Sequence, residues 1–169
     1  MRILTVRQPW AWAIVHGGKD VENRKTNIAG DYRGPVAILA ARADAENASE
    51  DVWKDHADFY RKYYRMRGIV GRTPTLRGHI IGVVDLVDVH PVANPHFHPI
   101  CYDLADPNGL LTAAARGDGA CSRWAHPEGR WHLVLENPRP LAEPIPYRGA
   151  LGLRALDAEM VALVEAAIA

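Results

Sequence analysis

Lys19, Glu22 and Arg24 fall in the run Gly17-Gly18-Lys19-Asp20-Val21-Glu22-Asn23-Arg24, directly after a short apolar stretch. Glu22 and Arg24 are two apart, so on a strand both side chains leave from one face, with Lys19 at the strand's mouth. A carboxylate set between two cations can align them on a phosphate or on the polar edge of a base. Arginine brings a planar fork, and lysine brings a point charge that becomes a general base when desolvated. The plainer alternative is a surface ion pair of Glu22 with Arg24 or Lys19, which contributes little.

A second group is Phe59-Tyr60-Arg61-Lys62-Tyr63-Tyr64-Arg65-Met66-Arg67, followed by Arg72 and Arg77. Cations interleaved with aromatics neutralise phosphates and stack bases. On a helix Tyr60, Tyr63 and Tyr64 share one face and Arg61 and Arg65 another. The tyrosines are expected to be buried. The arginines are expected to face phosphate, because residues 59–77 carry six basic and no acidic groups. The whole chain is neutral, with 20 basic and 20 acidic residues, so attraction to nucleic acid depends on such local potential.

Among the tryptophans, Trp10 reads as core, whereas Trp124, in the polar Ser122-Arg123-Trp124-Ala125 stretch, is the better stacking residue. Ser122 is a candidate nucleophile or phosphate contact without an identifiable base. His96-x-His98-x-x-Cys101, with Cys121, could supply metal ligands, but the spacing matches no standard zinc motif, and no metal or cofactor is expected. His132, beside Trp131, is expected to be packed in a strand or to face the cleft. The phosphate-loop, nucleophile-elbow and paired Cys-x-x-Cys motifs are absent.

The elements that must position these residues follow from pattern. Strands are expected at Ile3–Val6, Val21–Thr26, Val36–Ala40, His79–Val89, Trp131–Leu135 and Arg148–Leu153. Pro9 suits the start of a short helix over 10–15, which Gly17-Gly18 ends through a left-handed residue. Ser49-Glu50-Asp51 opens a helix running over Val52 to Met66. Asp157 caps a terminal helix over Ala158 to Ile168. A further short helix is expected near Gly109 to Ala115. The order has no regular βαβ repeat and favours an α+β fold, a small, strongly curved mixed barrel of about five to six strands flanked by helices.

At 169 residues, with 48% hydrophobic and 24% charged side chains, the chain suits a single domain over 1–169, with 42–77 and 91–129 as variable or inserted segments. No apolar run is long enough to span a bilayer. Two cysteines are too few for a disulfide scaffold, so a cytoplasmic protein without a membrane partner is expected.

Gly17-x-Lys19-x-x-Glu22-x-Arg24 resembles the G-x-K-x-x-E-x-R signature of ASCH domains, members of the PUA-like superfamily. Gln8-Pro9-Trp10-Ala11, Tyr32-Arg33-Gly34, Trp131-His132-Leu133 and Pro144-x-x-x-Arg148-Gly149-x-Leu151-Gly152-Leu153 resemble the same family and span nearly the whole chain. The resemblance implies a PUA-like barrel whose signature lines a cleft for single-stranded RNA or a modified nucleoside. Gln8, Lys19, Glu22, Arg24, Arg33, Arg61, Arg65, Trp124 and His132 are the expected contacts. It also implies a rival, a hydrolase with Lys19, Glu22 and Arg24 as its catalytic groups, acting as a ribonuclease or an N4-acetylcytidine amidohydrolase. In such amidohydrolases the nucleophilic threonine falls on Glu22, and a carboxylate cannot replace that hydroxyl. Glu22 could instead act as a base on water. A non-catalytic protein-interaction module is the third reading.

Overall fold

The computed structural model describes residues 1–69, 75–93, 100–101, 121–126 and 129–168. Their elements run β1 (Arg2–Gln8), α1 (Trp10–His16), β2 (Val21–Arg24), β3 (Gly34–Asp44), α2 (Glu50–Met66), β4 (His79–Ala93), β5 (Ile100–Cys101), β6 (Trp131–Pro146), β7 (Leu153–Ala155) and α3 (Ala158–Ala166). Six strands lie in the order β2-β6-β4-β3-β1-β7, and β5 pairs with β4 off that path. β1 and β3 are parallel, and the other pairings are antiparallel. The α+β class holds, and the expected barrel is an open one, since β2 and β7 end the strand order without pairing. Register shifts in β1, β3 and β4 mark the bulges through which such a sheet bends.

α1 is buried nearly all round, with Ala11, Trp12, Ala13, Ile14 and Val15 inside. It packs on β4 at Gly82, where an added Cβ would lie 2.5 Å from Val15 Cγ1. Leu4, Val6, Val36, Ile38, Val84 and Leu133 surround Ile14 and Val15 in the main core. A second core, with Leu39, Ile80, Val83 and Val164, lies under α3, whose Asp157 cap accepts from the Met160 N–H at 2.8 Å. α2 buries Tyr60 and Tyr64 against Trp12 and Ala13 and leaves Tyr63 half-exposed.

Two strands depart from expectation. β6 runs sixteen residues, not five, through Pro138, Pro140 and Pro144. β2 pairs with residues 131–134. Beyond them, among the described residues, the side of β6 away from β4 is met only locally, at Leu135 by the Asp20 carbonyl and at Leu141 and Ala142 by the end of α3. A strand so sparsely bonded on one side tolerates prolines. The last strand starts at Leu153, because Gly152 takes a φ of 78° and Gly149 lies where a Cβ would meet Leu39 and Thr5 at 3.0 and 3.2 Å. The helix expected near 109–115 lies outside the described residues. No helix among the described residues is long and apolar enough to cross a membrane.

Candidate functional site

The end of α1 delivers Lys19. Gly18 takes the left-handed conformation, with φ 71°, and the Gly17 and Lys19 N–H groups both donate to the Ala13 carbonyl at 2.9 Å. The backbone then enters β2, where Glu22 and Arg24 project from one face as their spacing requires. Arg24 Nη2 lies 3.0 Å from Glu22 Oε1, and Lys19 Nζ lies 3.9 Å from Glu22 Oε2. Arg24 also donates to the Thr5 carbonyl at 3.1 Å, and Lys19 donates to the Val21 carbonyl. Lys19 and Glu22 are buried, while Arg24 keeps 27% of its side chain exposed. This is a buried triad with one open end, not a surface pair.

Burial drives the Lys19 ammonium below its ordinary value, against the upward pull of Glu22 and Asp20. The ammonium lies 5.7 Å from the ring centroid of Trp10 and 5.9 Å from that of Trp124. The two indoles meet edge to face at 6.2 Å, so Lys19 is held at the corner of an aromatic wall. Trp10, expected in the core, is half-buried and donates to Asn47 Oδ1 at 3.1 Å. Trp124 Nε1 donates to the Gly18 carbonyl at 3.0 Å. Its loop is fastened by Ser122 Oγ donating to Asp20, by Asn23 Nδ2 donating to the Trp124 carbonyl at 2.9 Å, and by the His126 N–H donating to Asn23 Oδ1 at 2.9 Å. Arg123, which sequence reasoning did not single out, lies 5.1 Å from the Trp124 ring centroid. Three cations thus stand against Glu22 and Asp20, a weakly positive site. A cleft of about 330 Å³ opens beside Lys19, lined by Ile14, Asp20, Val84, Glu136, Asn137 and Pro138 among others.

The remaining expected contacts lie elsewhere. Gln8 is fully buried beneath the site: its Oε1 accepts from the Trp12 N–H at 3.0 Å and its Nε2 donates to the Leu76 carbonyl at 2.8 Å. Its oxygen serves the first turn of α1 and its amide ties down the backbone before β4, so it is a structural residue. Arg33 is exposed and donates to the Tyr32 carbonyl at 2.9 Å, with Asp88 at 3.7 Å. His132 is paired with Asn23 across the β2–β6 ladder, so it leaves the sheet on the face opposite Glu22 and Arg24. It is wholly buried there beside Cys101 and Cys121, away from the cleft.

The basic edge is also thinner than its sequence. Arg61 pairs with Asp58, Arg67 with Glu143 at 3.2 Å and Arg77 with Asp44. Arg65 and Lys62 are exposed without an ion pair among the described residues, and Arg72, His96 and His98 lie outside them.

The family model of the ASCH domain matches residues 4–100, a segment that includes Lys19, Glu22 and Arg24. No curated protein sequence matches the chain. Among solved structures, a tyrosine-to-phenylalanine variant of the ASCH protein of Zymomonas mobilis superposes with a TM-score of 0.53 at 14% identity, covering 99% of this chain and 98% of that one. The unsubstituted Zymomonas mobilis protein gives 0.51 at 13% identity, with 99% and 95% covered. At such identity the likeness concerns the fold. The matched segment exceeds half the chain and contains the signature around the buried triad: the chain belongs to the ASCH domain family.

Proposed function

We propose that this protein, acting as one domain over 1–169, binds single-stranded RNA or a nucleoside within it, modified bases included, at the Lys19–Trp124 corner. The reading accords with a PUA-like, nucleic-acid-binding type of domain, which the family suggests. The observation that carries it is the Lys19 ammonium buried between two half-exposed indoles, with the Glu22–Arg24 pair behind it. A base stacks on Trp124, a contact of about 1–3 kcal/mol that any base can make. Lys19 and the open end of Arg24 donate to a phosphate or a base carbonyl. Glu22 holds both cations in line or accepts from a base amino group.

Three cations against two carboxylates suit one phosphate and one polar base edge better than a polyphosphate. Arg65 and Lys62 would steer the backbone from α2. Titrating the protein with a short single-stranded RNA should quench tryptophan fluorescence, and Trp124→Ala should lose both the quench and affinity. Equal affinity in that variant would refute the stacking role.

A hydrolase reading is favoured by one observation, the burial that pushes Lys19 toward its neutral, basic form beside Glu22. Mass spectrometry of RNA oligomers and N4-acetylcytidine incubated with wild type and Lys19→Ala separates the two. Product from the wild type alone would make the site catalytic, and intact substrates would leave it a binding site.

A further inference from the structure

We propose that His90, Cys101, Cys121 and His132 form a zinc site on the opposite side of the sheet from Glu22. The four come from β4, β5, the loop before β6 and β6, and each offers one ligand atom to a space where all four atoms lie within 4.8 Å of one another. His132 Nδ1 lies 3.3 Å from Cys101 Sγ and 3.2 Å from Cys121 Sγ. Around a tetrahedral zinc, with Zn–S near 2.3 Å and Zn–N about 2.0–2.1 Å, a nitrogen and a sulfur are separated by about 3.5 Å. The observed spacing therefore admits the ion with shifts of a few tenths of an ångström.

The outer contacts aim both histidines inward. His90 Nδ1 bonds Asp88 Oδ2 at 2.6 Å, which leaves its Nε2 for the cluster. That nitrogen is buried, in a residue only 2% exposed; it makes no hydrogen bond of ordinary geometry and has the Cys101 thiol as its neighbour. His132 Nε2 donates to the His126 carbonyl at 3.3 Å, which leaves Nδ1 as the lone-pair nitrogen facing both sulfurs. A carboxylate or carbonyl fixing the far N–H is the arrangement that orients metal-bound imidazoles.

The chemistry of the set also points to an ion. The two cysteines are not joined in a disulfide. Two thiols and two imidazoles packed together are a poor hydrogen-bonding set, because sulfur is a weak donor and a weak acceptor. Thiolate and imidazole suit zinc. On binding, each thiol gives its proton to solvent and two thiolates balance the charge of Zn²⁺, so the buried complex is neutral.

All four positions come from the protein, which makes the site a structural one with no open position for substrate. It clamps the loop that carries Trp124 onto β4 and β6. In sequence the ligands follow His-x10-Cys-x19-Cys-x10-His, which no standard zinc spacing resembles. From sequence no metal is expected, and Cys101 and Cys121 are only possible ligands beside His96 and His98; the imidazoles that meet the two cysteines in the structure come from β4 and β6.

The test is a Co²⁺ titration of the reduced, chelator-stripped full chain under anaerobic conditions. One equivalent should give the visible bands of tetrahedral cobalt with thiolate-to-cobalt charge transfer, and one equivalent of Zn²⁺ should bleach them. Cys121→Ser should weaken the charge-transfer band. Asp88→Asn, which removes no ligand, should lower Co²⁺ affinity by about tenfold. A reduced wild type showing no tetrahedral cobalt spectrum would overturn the proposal, whether or not Cys121→Ser folds. So would a spectrum unchanged in Cys121→Ser, or a protein isolated with a Cys101–Cys121 disulfide whose reduced form takes up no cobalt.

Discussion

Glu22→Ala removes the carboxylate that separates two cations. At an effective dielectric of about 20, Glu22 attracts Arg24 at 3.0 Å by about 5 kcal/mol and Lys19 at 3.9 Å by about 4 kcal/mol, before desolvation is subtracted. Breaking a buried ion pair from one side costs about 3–5 kcal/mol, because the remaining charge is left uncompensated. Arg24 is 27% exposed and screened by water, so a loss of about 2–4 kcal/mol is expected near neutral pH. The pH dependence sharpens the test. Lys19 titrates below its ordinary value of 10.5 in the folded chain, so the unfolded chain binds the extra proton and stability rises with pH between the folded value and 10.5. Removing Glu22 takes away an upward pull on Lys19 and widens that window toward acid. The variant can then shed the Lys19 proton, and its deficit should shrink as pH climbs. Urea unfolding of wild type and Glu22→Ala at about pH 6 and about pH 9 measures both effects. A deficit below about 0.5 kcal/mol at both values, or one that grows with pH, would refute the buried triad.

Three further outcomes are expected. Gln8→Ala should lose about 2–3 kcal/mol in denaturant unfolding, since it orphans the buried Trp12 N–H and the Leu76 carbonyl. Burial lowers His56 to about 4, so its contribution to stability is complete above pH 6.5 and is lost as pH falls toward 4. Wild type should lose about 2 kcal/mol from this group between about pH 7 and pH 5, a loss that His56→Phe removes. Arg65→Glu should weaken RNA binding and flatten its salt dependence, whereas Arg61→Glu, which replaces a cation already paired with Asp58, should do less; fluorescence anisotropy over a salt series compares them.

Local pattern carried much of the fold. β1, β3 and β4 are apolar, β-branched runs, and α2 opens on acidic residues and ends before Gly68, so each is legible from neighbours in sequence. β6 is not, because its prolines read as breakers until its long pairing with β4 is known. β5 has two residues and exists only as a partner of β4.

The site divides the same way. The convergence of Glu22 and Arg24 follows from an i, i+2 spacing. Trp10 meets Trp124, over a hundred residues away, and Asn47, contacts that no local spacing shows. The basic edge is partly neutralised by Asp58, Glu143 and Asp44, which pair with Arg61, Arg67 and Arg77 and lie outside the segment. His90 and His132 meet the cysteines only through the β4–β6 ladder, where they stand directly opposite each other.

The most direct measurement is the equilibrium affinity of wild type and Lys19→Ala for a fluorescently labelled, short single-stranded RNA. Lys19 lies within 6 Å of both indole centroids and 3.9 Å from Glu22, so its loss removes one cation from a desolvated site. A loss of affinity of about tenfold or more is expected, with the variant still folded, as one charge-assisted hydrogen bond contributes about 1.5–3 kcal/mol. Equal affinity in the two proteins would contradict the assignment of the Lys19–Trp124 corner as the nucleic-acid site.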